Sequence, residues 1–327
     1  MERVEIILTA DGNYFDGLFV TAGSIAMHAS TEATLSFSII DGGFPDDSYF
    51  CLVNRLSSLH PHVQIQRFKI EDSQFTAFPE WHGNKMAYAR FLFPRLLPQV
   101  DHAIYCDDDI LWLADIVDLW RERNSSLIVQ ACADPEICST KEPRWFKEHN
   151  FAFEAGNYFC AGVMLMNLKL FREEQIVERV YEFLKIHNDC IFADQSALNA
   201  VAWGRVGILN PRWMCFTRIT PCRDIKTPIV LHYTSNIPWR DYGWREDLRA
   251  ARMLWYRQNA LVRGVSLWGS YRMFNKPFRI LRIWCLYIIL RVGLMRRVFI
   301  FLMSKVNRKC HADFVLNYFG RINEWVK

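Results

Sequence analysis

Three consecutive carboxylates, Asp107-Asp108-Asp109, stand between the apolar runs Ala103–Cys106 and Ile110–Leu113. Adjacent negative charges beside hydrophobic neighbours repel one another and resist burial, so they need a compensating cation or a raised pKa. In an Asp-x-Asp turn the two outer carboxylates can face one cation, and a continuing strand would also place them on one face. Hard oxygen ligands at the end of a buried strand suit Mg²⁺ or Mn²⁺ that also holds phosphate oxygens. The same triplet also suits a solvated turn or an N-cap for the segment that follows.

The elements around the triplet decide where it sits. Val4–Ala10, Leu35–Ile40, Val63–Ile70, Ala103–Cys106, Leu127–Cys132 and Gly162–Asn167 are short apolar or alternating runs and predict strands. Phe15–Ala29, Asp46–Leu59, Gly83–Leu97 and Leu168–His187 carry helical patterns between them. This alternation predicts an α/β protein with a largely parallel sheet covered on both faces. Ligands of such sheets bind beyond the carboxyl ends of the strands. Two polar clusters fall there: Ala10-Asp-Gly-Asn-Tyr14 after the first strand, and the aspartate triplet.

The chain of 327 residues can hold one large α/β domain and an appendage, and 51% hydrophobic with 23% charged residues excludes a disordered chain. The start lacks a basic segment followed by a long apolar stretch, so no signal peptide is expected, and the expected location is cytoplasmic. Ten cysteines without CxxC pairs suggest reduced thiols, and neither a zinc site nor a disulfide framework.

Charge divides the chain in two. Residues 1–247 hold 23 Lys and Arg against 33 Asp and Glu, whereas Leu248 to Ala312 contain fourteen Lys and Arg and no acid. The expected division is a catalytic domain over residues 1–247 and a basic, mainly helical region over 248–327. After Pro277, Phe278–Met303 alternates apolar clusters with arginines, and its longest uncharged run, Ile283–Leu290, is far short of a bilayer span. Such a segment suits the surface of an anionic membrane; packing against the acidic body and RNA binding are the alternatives. No nucleic-acid motif accompanies it, and no nucleic-acid partner is expected.

The chain resembles glycosyltransferase family 8, the retaining transferases that include bacterial lipopolysaccharide galactosyl- and glucosyltransferases. The resemblance is carried in order by Ile7-Leu-Thr-Ala-Asp-Gly-Asn-Tyr14, Met86-Ala-Tyr-Ala-Arg-Phe91, Tyr105-Cys-Asp-Asp-Asp-Ile-Leu111, Tyr158-Phe-Cys-Ala-Gly-Val-Met-Leu-Met-Asn-Leu168, Ala193-Asp-Gln-Ser-Ala-Leu-Asn199 and His232-Tyr-Thr-Ser-Asn-Ile-Pro-Trp239. It implies a GT-A fold, a UDP-hexose donor and a divalent metal, Mn²⁺ with Mg²⁺ as the alternative. Asp107 and Asp109 match the Asp-x-Asp ligands and His232 the third protein ligand. Ala10, Asp11, Asn13 and Tyr14 match the nucleotide loop, with Asp108 orienting the donor. Arg90 matches a basic residue that could clamp phosphate or sugar hydroxyls. Asp134, Cys160, Ala161 and Ser235 fall at donor-sugar or phosphate positions. Gln195, beside Asp194, matches the pair near the anomeric carbon, and an amide there suits stabilisation of an oxocarbenium-like centre better than nucleophilic attack. The same two residues also read as the start of a helix.

The chain departs from the family at two places. The closing motif HxxGxxKPW is one residue shorter here, lacks the Gly and Lys, and offers Ser235 and Asn236, with Arg240 as a candidate for the missing charge. Cys160 stands where the family often has Asn, and a thiol is a weak hydrogen-bonding group. The expected function is metal-dependent, retaining transfer of glucose or galactose from a UDP-sugar. The acceptor would be a lipopolysaccharide-core or other lipid-linked sugar at the inner face of the cytoplasmic membrane. The alternatives are hydrolysis of UDP-sugars or nucleotide diphosphates, and a non-catalytic UDP-sugar-binding protein.

Overall fold

The structure, a computed structural model, describes residues 1–70, 78, 86–220, 229–234, 237–240 and 249–274. The chain divides into two compact units, Met1–Gln258 and Asn259–Lys327. The first unit opens with β1 (Glu2–Asp11), α1 (Phe15–His28), β2 (Ala33–Gly42), α2 (Asp46–Leu59) and β3 (Val63–Lys69). A tight helical turn, Met86–Leu92, leads into α3 (Phe93–Leu96), β4 (His102–Cys106), β5 (Ile110–Trp112), α4 (Ile116–Arg121) and β6 (Val129–Ala133). Then come α5 (Glu142–Glu148), β7 (Phe159–Asn167), α6 (Leu168–Glu173), α7 (Ile176–Ile186), α8 (Asp194–Val201), β8 (Val206–Ile208), β9 (Cys215–Phe216) and β10 (Val230–His232). The last described helices are α9 (Arg249–Arg263) and α10 (Leu267–Phe274).

A seven-stranded sheet runs in the order β3-β2-β1-β4-β7-β6-β8. Its first four strands are parallel, as the β-α alternation predicts, and Ile6, Ile7 and Leu8 at its centre are fully buried on both faces. β7 runs antiparallel to both neighbours, β4 and β6. Hydrophobic patterning reports burial but not strand direction, which is why the sequence shows β7 only as a strand. All nine residues of β7 are buried.

Two predicted helices take a different form. Gly83–Leu97 begins outside the described residues, and from Met86 it is a tight 3₁₀ stretch followed by the single α-turn of α3. Leu168–His187 is broken into α6 and α7 at Gln175, whose φ of 52° is left-handed. Asn167 caps α6 by accepting from the Leu170 amide.

A second, small sheet of β5, β10 and β9 bears on function. β10 pairs antiparallel with β5 so that His232 lies opposite Ile110, one residue beyond the aspartate triplet. In the second unit, Asn259 donates to the Ser270 hydroxyl at 2.7 Å and Trp268 stacks on Tyr271. The charge boundary after residue 247 and the arginine-rich stretch Phe278–Met303 lie outside the described residues.

Candidate active site

β4 ends at Cys106, and the Asp107 amide donates to the Gly162 carbonyl of β7 at 2.9 Å. Tyr105 and Asp107 lie on one face of this extended segment, so the Tyr105 hydroxyl donates to Asp107 Oδ1 at 2.6 Å. β5 then turns the chain toward β10, and the Tyr233 amide donates to the Asp109 carbonyl at 3.0 Å. This register places His232 Nε2 3.1 Å from Asp109 Oδ1 and 4.0 Å from Asp107 Oδ2. One ligand atom from each of Asp107, Asp109 and His232 lies within 4.8 Å of the others, so the three are brought together as the sequence predicts.

Two carboxylates and one imidazole converging on a point suit a divalent cation, with coordination positions left for a substrate's oxygens. The electrostatics agree. Burial pushes Asp107 up, with Arg90 opposing it, and burial together with Asp109 and Asp107 holds Asp108 well above the usual carboxylate range. Burial alone would push His232 down, yet the Asp109 carboxylate beside it holds the imidazolium well above its ordinary value. Gly162 forms the back wall: a Cβ there would lie 2.6 Å from His232 Cε1 and 3.2 Å from Asp107 Oδ2.

Arg90, expected as a phosphate or sugar clamp, lies at the wall of the cleft beside the triplet and is bound to the protein around it. It is 5% exposed, and each of its nitrogens is held by the protein. Nη2 donates to Asp107 Oδ1 at 2.9 Å, Nη1 to the Ala161 carbonyl at 2.7 Å and Nε to the Ala87 carbonyl at 3.0 Å. Nε also lies 3.1 Å from Asp194 Oδ2, and the guanidinium covers the Tyr105 ring. A guanidinium this deep needs acceptors for its donors, so it backs the metal-ligand candidates and leaves no nitrogen without a protein partner. Asp194 is likewise buried against Arg90 and does not line the cleft. Burial raises its carboxyl to about 6, with Arg90 as the main opposing influence.

Beside the triplet lies a cleft of about 180 Å³ lined by Ala10, Asp11, Tyr14, Arg90, Asp107 and Asp108, among others. Asp11 Oδ1 accepts from the amides of Asn13 and Tyr14 at 2.7 and 3.1 Å, so the Asp-Gly-Asn segment is a turn and a cleft wall at once. Asn13 is exposed. Arg240 lies over the Tyr14 ring, 4.3 Å from its centroid, and its charge opposes the upward push on Asp108. Trp239 meets Tyr14 edge-on and fills the space over Gly17, where a Cβ would come within 2.3 Å of the indole. Ser235 and Asn236 lie outside the described residues.

On the other side, Gln195 bridges two strands. Its Oε1 accepts from the Ala161 amide at 3.0 Å, and its Nε2 donates to Asp134 Oδ2 at 3.3 Å. Burial raises Asp134, opposed by the Glu136 amide and the Gln195 side chain. The Cys160 thiol is buried and directed at His232 Nδ1, 3.9 Å away, behind the imidazole.

Two contributors escape the sequence reading. Tyr105 has a findable signal, since residue i−2 of a strand-end ligand shares its face. Thr21 has none: its hydroxyl donates to the carbonyls of Asp108 and Ile110 from α1, 87 and 89 residues away. Asn199 follows from the helical spacing of Gln195, and it brackets Phe159 by accepting from its amide and donating to its carbonyl, both at 2.9 Å.

Residues 5–243 match the family described as Glycosyl transferase family 8. The General stress protein A of Bacillus subtilis (strain 168) is 30% identical over 239 residues, 70% of this chain and 79% of that protein. The Lipopolysaccharide 1,2-glucosyltransferase of Escherichia coli (strain K12) is 21% identical over 257 residues, 74% of each chain. A solved structure of the galactosyltransferase LgtC with donor and acceptor sugar analogues superposes with a TM-score of 0.66 at 22% identity, covering 79% of this chain and 96% of that one. That likeness carries the GT-A fold. A family match across most of the chain, laid over a mostly parallel sheet with an Asp-Asp-His cluster at the carboxyl end of its central strand, places this protein in glycosyltransferase family 8, and it is a glycosyltransferase.

Proposed function

We propose that the chain moves glucose or galactose from a UDP-hexose to a lipopolysaccharide-core or other lipid-linked sugar, with retention of anomeric configuration. The observation that carries this reading is the convergence of Asp107, Asp109 and His232 beside the cleft formed by Ala10, Asp11 and Tyr14. Those three residues would hold Mn²⁺, since mixed carboxylate and imidazole donors suit it better than Mg²⁺. When bound, the metal supplies positive charge that offsets the charge developing on departing UDP. His232 must release its proton to act as a ligand, and Arg90 opposes from behind the upward push of burial on Asp107. Tyr14 would stack on the base, while Asp134 and the Gln195 amide flank the sugar. The acceptor hydroxyl attacks C1 from the face that UDP leaves: the new C1–O bond forms as the C1–O–phosphate bond breaks. The leaving phosphate oxygen accepts the acceptor's proton.

UDP release separates the readings. Purified protein with Mn²⁺ and UDP-glucose or UDP-galactose is expected to release UDP only when a lipid-extract acceptor is present. Equal release with and without acceptor would support hydrolysis, and none in either condition would sink both the transfer and the hydrolysis readings. The metal site has its own test. Gly162→Ala is expected to weaken Mn²⁺ binding by ~10-fold or more, read by electron paramagnetic resonance of free Mn²⁺, because the added methyl displaces His232.

Fourteen Lys and Arg without an acid between Leu248 and Ala312 support an anionic membrane surface as the place of work, at the inner face of the cytoplasmic membrane. No helix among the described residues is long and apolar enough to cross a membrane. Removing Ser266–Lys327 is expected to release the protein from anionic vesicles in sedimentation. Unchanged co-sedimentation would remove the tail from the proposal.

A further inference from the structure

Arg67 lies on β3 at the edge of the sheet and does not line the cleft, yet its guanidinium is held on several sides. Nε donates to Asp41 Oδ2 at 2.9 Å, Nη1 to Asp46 Oδ1 at 2.6 Å and Nη2 to the Phe44 carbonyl at 3.0 Å. It also rests over the rings of Phe44 and Tyr49, 4.9 and 4.7 Å from their centroids. The side chains of Arg67 and Asp41 are 10% and 3% exposed, so the two form a buried ion pair. Such a pair adds little net stability, because desolvation of both charges offsets most of their attraction. Nor is it needed to join the strands: a parallel ladder from Leu35–Val63 to Asp41–Lys69 already pairs β2 with β3.

What the pair shapes is the turn that follows β2. Asp41 Oδ1 accepts from the amides of Gly43 and Phe44 at 2.8 and 2.9 Å, and Gly43 takes a left-handed φ of 112°. Three successive residues of this turn each meet a residue on the nucleotide side of the cleft. A Cβ on Gly42 would come within 2.6 Å of Met86 Sδ, and Met86 lines the cleft. The Gly43 carbonyl oxygen would lie 3.1 Å from a Cβ on Gly12, in the middle of the loop Ala10–Tyr14. The Phe44 ring packs on Phe15, the first residue of α1, with 4.9 Å between centroids. Asp11 bends the loop through its own carboxylate, whereas the turn behind bears on where the bent loop sits. Gly12 has no left-handed φ, so a methyl added there meets the Gly43 carbonyl and no backbone strain.

We propose that Arg67 is a positioning residue for donor binding: through Asp41 it fixes the Gly42–Phe44 turn, and that turn sets the place of the nucleotide loop. This rests on the reading that Ala10–Tyr14 holds the nucleotide. Arg67→Met is expected to weaken UDP binding by ~10-fold, read by isothermal titration calorimetry with Mn²⁺ present, because a loop set in advance binds at lower cost. Donor KM should rise by a similar factor while kcat at saturating donor stays within about twofold, a split that lost stability alone does not give. Mn²⁺ affinity without UDP should not change, since Asp107, Asp109 and His232 are set by β4, β5 and β10. Lys69→Met removes the other, exposed partner of Asp46 and should leave UDP affinity as in the wild type. Gly12→Ala gives the sharper test. Against the fixed turn the added methyl is expected to weaken UDP binding by ~10-fold, but in an Arg67→Met background the freed turn gives way and the further loss should be less than about threefold. Losses that multiply in the double variant would overturn the proposal, as would unchanged UDP affinity in Arg67→Met. If Arg67→Met does not fold, Asp41→Asn takes its place, since it keeps an oxygen for the two amides and loses the charge that holds Arg67. The same coupling to Gly12→Ala is expected there, and its absence would overturn the proposal. A wild type that does not take up UDP would remove the nucleotide reading and this inference with it, whereas equal UDP binding by wild type and Arg67→Met would remove the positioning role alone.

Discussion

Asp107→Asn and Asp109→Asn are each expected to reduce sugar transfer by about a thousandfold or more. A metal supplies several kcal/mol of charge stabilisation to a departing diphosphate, and each ~1.4 kcal/mol is a factor of ten in rate. The two variants should differ in the metal-free protein. Asp109→Asn removes a charge that raises both Asp107 and Asp108, so it relieves like-charge repulsion, though it also removes the partner of His232. Asp107→Asn leaves Arg90 and Tyr105 facing an amide where they had an anion. Thermal unfolding checks this directly. Mn²⁺ at about a hundred times its Kd should stabilise the wild type by about 2.7 kcal/mol and neither variant. The metal-free Asp109→Asn protein is expected to melt above the metal-free Asp107→Asn protein, because relief of the repulsion within the triplet offsets part of the lost His232 pair. Mn²⁺-dependent stabilisation that survives in either variant would remove that residue from the ligand set.

Arg90→Met should do more damage than a lost substrate clamp would. It removes the cation shared by Asp107 and Asp194 and leaves Asp194 buried without its partner. Breaking a buried pair on one side costs about 3–5 kcal/mol. At roughly 2–4 °C per kcal/mol for a unit of this size, that lowers Tm by on the order of 10 °C. The metal site responds as well, and the sign is determined. Burial raises both carboxyls and Arg90 is the main influence holding them down, so without it both rise further. Asp107 must be ionised to bind metal. Mn²⁺ affinity of Arg90→Met should therefore fall at neutral pH and recover as pH rises. A pH profile parallel to wild type would show that Arg90 does not tune Asp107. Arg90→Lys is expected to rescue little, because one ammonium cannot reach Asp107, Asp194 and the Ala161 and Ala87 carbonyls in a fork.

The acidic triplet, the nucleotide-loop turn and the order of β1, β2 and β3 could be read directly because each is local. An Asp-Gly-Asn turn follows from the Asp side chain bonding its own backbone, and a strand follows from apolar alternation. The roles of Arg90 and Cys160 could not be read this way. Motif position suggested groups near the donor, and the structure adds that Arg90 pairs with Asp107 and Asp194 and that the Cys160 thiol is directed at His232. Which way a side chain points depends on what lies behind it, and part of that comes from distant segments: Ala161 and Asp194 for Arg90, and His232 for Cys160, each about 70 residues or more away in the chain.

Residue type and local spacing alone carried the chemistry: hard carboxylates at a strand end, a histidine on an apolar run, and an amide at a helix start. Assembly of these into one site belongs to the tertiary fold. His232 reaches Asp109 only because β10 pairs antiparallel with β5 in a register that sets His232 opposite Ile110, and a slip of one residue would turn it to the other face. Gln195 reaches Ala161 only because β7 is threaded against direction between β4 and β6 and presents its amide to α8. Strand register and direction are settled by packing between distant segments, and a linear pattern of apolar residues reads the same in either direction.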